Sequence, residues 1–234
     1  MTSVAVLQPS YMPWLGYFEQ IDRADVFVYY DVVQYDKNGW RNRNRIKTAR
    51  GVQWITVPVL HSNRRHQTNL EVEIDNRSDW ARKHAETLRQ AYARAPHVDR
   101  FLPEIASLLA QPWPRLVDLD IRLTAAICGW VGILTPTHRC SELDVAGDRN
   151  ERLLNICRHF GADRYISGDS AKNYLDLDAF ARNGIDVEWQ DYRPCPYPQL
   201  HGGFEPNLSV LDVLFNHGPG SLAIIRAGRP PMQP

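Results

Sequence analysis

Polar side chains with chemical capacity collect at four places in this 234-residue chain, and three of them directly follow a short apolar run. Gln8 and Tyr11 lie in Gln8-Pro-Ser-Tyr-Met-Pro-Trp-Leu-Gly16, after residues 4–7. A carboxamide and a phenol there can hydrogen-bond a small ligand, beside free N–H groups at a helix start. Asp31, Gln34 and Lys37 follow the second run, 26–30. A carboxylate at that point suits a sugar hydroxyl, an amine or general-base work. Trp40-Arg-Asn-Arg-Asn-Arg45 sets Arg41, Arg43 and Arg45 among Asn42 and Asn44. At strand period the arginines point one way and the asparagines the other. Guanidinium forks suit phosphate or carboxylate. Ser167-Gly-Asp-Ser-Ala-Lys-Asn-Tyr174 offers Ser167, Gly168, Ser170 and Lys172 as a phosphate cradle without the P-loop spacing.

Each motif also has a purely structural reading. Pro9, Pro13 and Gly16 shape a turn, Asp31 caps a helix, a charged strand guards a sheet edge, and Ser170 caps a βα loop. His84, beside Trp80 and Lys83, is the histidine placed best to reach a site, and with Asp31 it forms the candidate catalytic set. Cys195 and His201 form a conceivable nucleophile–base pair, but nothing marks Cys195 as activated. No His, Cys or carboxylate spacing proposes a metal.

The elements that would hold these groups follow from hydrophobic period. Residues 4–7 and 26–30 read as buried strands. Between them Trp14, Tyr17, Phe18 and Ile21 recur at helical spacing after Pro13. Strand, helix, strand opens a βαβ unit and a parallel sheet. Residues 53–59 and 69–74 read as strands, antiparallel and apart from that core. Helices are expected over 78–92, 98–109, 116–130, 148–160 and 208–216. A second βαβ pattern runs from strand 164–167 through helix 176–182 to strand 185–189. The expected fold is α/β: a doubly wound, mostly parallel, Rossmann-like sheet with a helical insertion at about 78–130. It forms one domain over 1–228 with a disordered tail at 229–234.

Composition narrows the function. Lys+Arg and Asp+Glu are both 27, so the net charge is zero, which argues against stable binding of a nucleic-acid polymer. A local basic cluster in a neutral chain points to a small anionic or nucleotide-linked substrate. The 44% hydrophobic and 23% charged residues are those of a globular protein. Four cysteines without a CxxC pair read as reduced thiols. With no signal-peptide pattern and no apolar run of membrane length, the expectation is a cytoplasmic protein without membrane contact. Aromatic-rich segments leave a homodimer open.

Several blocks together resemble the WbqC-like family of bacterial proteins. They are Leu7-Gln-Pro-Ser-Tyr-Met-Pro-Trp-Leu-Gly-Tyr-Phe18, Asp31-Val-Val-Gln-Tyr-Asp-Lys37, Trp40-Arg-Asn-Arg-Asn-Arg-Ile46 and Trp54-Ile-Thr-Val-Pro-Val59. Later ones are Trp80-Ala-Arg-Lys-His84, Tyr165-Ile-Ser-Gly-Asp-Ser-Ala-Lys-Asn-Tyr-Leu175, Pro196-Tyr-Pro-Gln199 and residues 204–216. The resemblance implies a cytosolic group transferase of surface-polysaccharide biosynthesis, moving a glycyl or other acyl group onto an amino sugar. The family often has His where this chain has Leu7, so no role of that His carries over. The sequence itself requires no cofactor; a nucleotide or an aminoacyl donor fits this reading. Two other readings stand beside it. One is a nucleotide-dependent adenylylating or nucleotidylyl-transferring enzyme, suggested by the layout of the opening strand, loop and helix. The other is a non-catalytic binding protein of a biosynthetic complex, suggested by the lack of a recognisable nucleophile–base pair.

Overall fold

In the computed structural model of the chain, residues 1–60 and 66–230 are described. Five parallel strands form the central sheet: β1 (Ser3–Leu7), β2 (Val26–Tyr29), β5 (Thr137–Arg139), β6 (Arg164–Ser167) and β7 (Asp186–Trp189). Their order is β5-β2-β1-β6-β7. The chain winds outward from β1 on one side, through β2 to β5, then crosses back to β6 and winds outward to β7. The reversal therefore falls between β1 and β6, where α/β sheets open a crevice at the strands' carboxyl ends.

Helices cover both faces, as alternation along the strands requires. Ala5, Phe27, Tyr29 and Ile166 face the larger core, built on α1 (Leu15–Arg23), α2 (Trp80–Tyr92), α3 (Val98–Leu109) and α4 (Leu116–Val131). Val4, Val6, Val28, Tyr30 and Tyr165 face the smaller one, under α5 (Arg149–His159) and α6 (Leu177–Arg182). Helix α1 buries Leu15, Phe18 and Ile21 at three-residue spacing. Helix α5 starts at Asp148, whose carboxylate accepts from the N–H groups of Asn150 and Glu151 at 3.0 Å. Gly132, at φ 86°, stops α4 in the left-handed region. The helices α2 to α4 occupy the expected insertion, and the fold is the α/β sheet anticipated, with all five strands parallel.

An antiparallel pair does stand apart from the sheet, but it is β3 (Arg43–Thr48) with β4 (Gly51–Thr56) and not residues 53–59 with 69–74. Three elements differ from expectation. Residues 69–74 are not a strand: Asn69–Glu71 forms one 3-10 turn, because Thr68 and Glu71 close a capping box. Strand β5 has three residues, one exposed and two half-buried, too few to show a period. Beyond α7 (Leu211–His217), Gly218-Pro-Gly220 makes one turn and the chain resumes as α8 (Ser221–Ala227). Of the expected tail, Arg229 is tied by ion pairs to Glu19 and Asp22, and residues 231–234 lie outside the described residues. Among the described residues no helix is long and apolar enough to cross a membrane.

Candidate functional site

A cleft of about 460 Å³ opens at the reversal point, a size that suits a small molecule. Its floor comes from the β1 end and α1: Leu7, Ser10, Trp14, Tyr17 and Gln20. Trp40, Arg41, Asn44 and Arg45 of the hairpin segment line the cleft too, as do Gly168, Asp169 and Ser170 after β6. Gln190 and Tyr192, after β7, complete it.

The Arg/Asn alternation divides as strand geometry requires. Asn42 and Asn44 are buried and the three arginines are half-buried. Both asparagines hold backbone: Asn42 Nδ2 donates to the Val57 carbonyl at 2.8 Å, and Asn44 Nδ2 to Met12 at 2.8 Å and Tyr11 at 3.3 Å. Met12 has φ 44°, a left-handed conformation disfavoured for its side chain, and Asn44 pins it. The arginines differ among themselves. Arg41 and Arg45 line the cleft. Arg43 lies over the Trp54 ring and donates to the Asn38 and Gly39 carbonyls. Arg45 lies over Trp40 and donates through Nη2 to Asn207 at 3.2 Å and Pro206 at 3.4 Å, while its buried Nε has no partner. Among the described residues Arg41 donates only through Nη1, to the Gln8 and Pro9 carbonyls, so its other guanidinium N–H groups have no described partner.

The structure puts the carboxyl ends of β1, β2 and β6 on one sheet edge, but not all of the candidate residues in one cleft. Gly168 and Ser170 line it with Arg41 and Asn44. Gln8 turns its side chain to Asn69, 3.3 Å away, and offers its backbone carbonyl to Tyr17 and Arg41. Tyr11 is buried, with its hydroxyl 2.9 Å from His84 Nδ1. Burial pushes the His84 imidazole down to about 4, so it is neutral at pH 7. Asp31 is fully buried and bonded to Arg139 at 3.0 Å and to the Ser141 hydroxyl and N–H at 2.7 and 2.9 Å. Ser167 is buried, Gln34 and Lys37 are exposed, and none of the three lines the cleft. Lys172 pairs with Asp169 at 2.6 Å and lies over Trp189, outside the cleft lining.

Two groups escaped the sequence reading. Gln20 and Gln190 meet on the cleft floor. Gln190 follows β7 as Gln8 follows β1, and that position was the available signal. Beneath the floor Asp120 is 1% exposed, with one carboxylate oxygen lacking a partner. Burial raises its proton affinity well above the usual carboxylate range, and Arg41 opposes the shift. It sits in α4 among Leu116, Leu119 and Leu123, a polar residue at a core position, and that break in the pattern was legible. Among the described residues no cluster of three or more His, Cys, Asp or Glu is placed to hold a metal.

Comparison with known proteins follows this geometry. The WbqC-like protein family matches residues 8–224, a span that includes every cleft-lining residue except Leu7. The chain is 44% identical over 220 residues to the uncharacterized protein Rv1507c of Mycobacterium tuberculosis, covering 93% of this chain and 95% of that protein. No solved structure matches the chain at a significant level.

Proposed function

The chain belongs to the WbqC-like protein family, and from that footing we propose that it is a group transferase which holds an anionic small molecule in the cleft between β1 and β6. The group moved is acyl or aminoacyl, such as glycyl, and the acceptor is an amine on an amino sugar or nucleotide-linked sugar. One observation carries this reading: Arg41 and Arg45 line the same cleft as Gly168, Asp169 and Ser170, at the sheet's reversal point.

The chemistry follows from what lines the cleft. The guanidinium N–H groups of Arg41 and Arg45 hold the anion by charge-assisted bonds, strengthened where Trp14, Trp40 and Tyr17 exclude water. The described lining has no Cys or His, and its one carboxylate is Asp169. The acceptor amine therefore attacks the donor's carbonyl directly, with both substrates aligned by the cleft rather than through a covalent enzyme intermediate. The new C–N bond forms as the bond from that carbonyl to the donor's carrier oxygen or sulfur breaks, and the carrier leaves with the proton the amine gives up. Asp169 takes that proton from the amine and passes it to the carrier.

The test is product formation. Purified protein incubated with aminoacyl and acyl donors and amino-sugar acceptors, free and nucleotide-linked, is expected to give a new amide detectable by mass. No amide with any pair would count against group transfer and would leave the binding-protein reading standing.

A further inference from the structure

The hydrogen bonds under the cleft form a relay with one open end. Gln190 Nε2 donates to the Gly16 carbonyl and to a Glu19 carboxylate oxygen, both at 2.6 Å. The Gly16 carbonyl can only accept, so the Gln190 amide has one orientation: a flip would set two oxygens against each other. Its Oε1 therefore faces Gln20, whose Nε2 donates to it at 2.6 Å. That bond fixes Gln20 in turn. Its own Oε1 is buried without a partner, in a side chain belonging to a residue 2% exposed. Helix α1 supplies Gln20, Glu19 and Gly16, and Arg229 holds the other Glu19 oxygen at 3.0 Å, so the relay rests on rigid structure.

Gln20 lines the cleft, and a Cβ built on Gly168 would stand 3.4 Å from its Nε2. The Gln20 amide thus lies against the loop that follows β6. A buried acceptor left unmet costs free energy, and a ligand that donates to it removes that cost. The same cleft is lined by the Trp14 and Trp40 indoles; Trp40 is 41% exposed, with Trp54 and Arg45 packed beside its ring. The cleft also presents the unpaired Nε of Arg45. The ligand that answers all three features has a planar ring, a ring-edge N–H and an anionic group.

We propose that the cleft takes a nucleotide, with a base N–H donated to Gln20 Oε1, the base against the indole surfaces, and the phosphate at Arg41 and Arg45. This rests on the anionic cleft of the preceding section and names its ligand class. Gln20 is the residue that selects a donor-bearing base; Gln190 and Glu19 are positioning residues that fix the orientation of its amide.

The test is calorimetric titration of the full chain with AMP, GMP, CMP, UMP, ribose 5-phosphate and inorganic pyrophosphate. At least one nucleotide is expected to bind tenfold or more tightly than ribose 5-phosphate. Its counterpart methylated on the base N–H should bind about tenfold more weakly, the scale of leaving a buried acceptor unmet. Gln20→Leu should remove that difference. The methylated ligand makes the same test on the unaltered protein, should Gln20→Leu fold poorly. If ribose 5-phosphate binds as well as every nucleotide, or methylation costs nothing, the nucleotide assignment is overturned while the anionic cleft survives. If pyrophosphate and all the phosphate esters fail to bind, both fall together.

Discussion

Arg41 reaches from the hairpin segment to the Gln8 carbonyl, 3.0 Å from its Nη1, and so ties the third polar motif to the first. The Arg41 carbonyl returns the bond, accepting from the Tyr11 N–H at 2.9 Å. The cleft wall and the loop after β1 are therefore one unit, and Arg41 both lines the cleft and ties that loop in place. Arg41→Ala should lose anion binding and also about 1–3 kcal/mol of stability, since two carbonyls lose their donor. In a chain of this size that is a fall in Tm of roughly 2–10 °C. Arg43→Ala should leave cleft binding within about 0.5 kcal/mol. Thermal melts with titrations of both variants check this; an Arg43→Ala protein that loses binding would break the assignment.

Asp31 holds Arg139 and Ser141 from a fully buried position. Removing one partner of a buried pair strands the other charge, so Asp31→Ala should cost about 3 kcal/mol, reduced from the upper range because Arg139 is partly exposed. Denaturant unfolding measures the loss. Turnover per folded molecule should be unchanged. A stable but inactive Asp31→Ala protein would instead make Asp31 a catalytic group.

His84 gives the fold a pH dependence. Its folded value of about 4 lies below the unfolded value, so between roughly pH 6.5 and 4 the unfolded chain binds a proton that the native one does not. Stability from this residue is complete above the unfolded value and falls as pH drops through that window, by about 3 kcal/mol. His84→Gln should flatten the profile over this range in urea melts. An unchanged slope would show that another group sets it.

If Asp169 takes the amine proton, Asp169→Asn should lower kcat by about 10²-fold or more with little change in KM. The side chain is exposed and paired only with Lys172, so the melt should shift by less than about 0.5 kcal/mol of stability. A KM effect alone would make Asp169 a binding residue.

What the sequence showed depended on how far each signal reaches. The apolar runs at 4–7 and 26–30 and the spacing of Trp14, Phe18 and Ile21 are local, and the fold follows them. The Arg/Asn alternation was legible as a strand face, and Asn42 and Asn44 do turn inward. Its partners were not legible, because Val57, Tyr11 and Met12 are brought there by the fold. Asp31 ends a strand, as a catalytic carboxylate can. Its ion pair with Arg139, 108 residues away, decides its environment, and no local pattern reports that. Gln20 and Gln190, 170 residues apart, met only in three dimensions. Capping chemistry at Thr68 and Glu71 overrode the alternation of Leu70, Val72 and Ile74.

The anionic cleft is tested most directly at Arg45, which lines it with an unpaired Nε and whose other bonds are to exposed loop carbonyls. Calorimetric titration of inorganic pyrophosphate should show binding to the unaltered protein. For Arg45→Ala the binding should be about ten- to a hundredfold weaker, the scale of a lost charge-assisted bond, with a melt within about 1 kcal/mol of the parent's stability. Equal affinity in the two proteins would contradict the account.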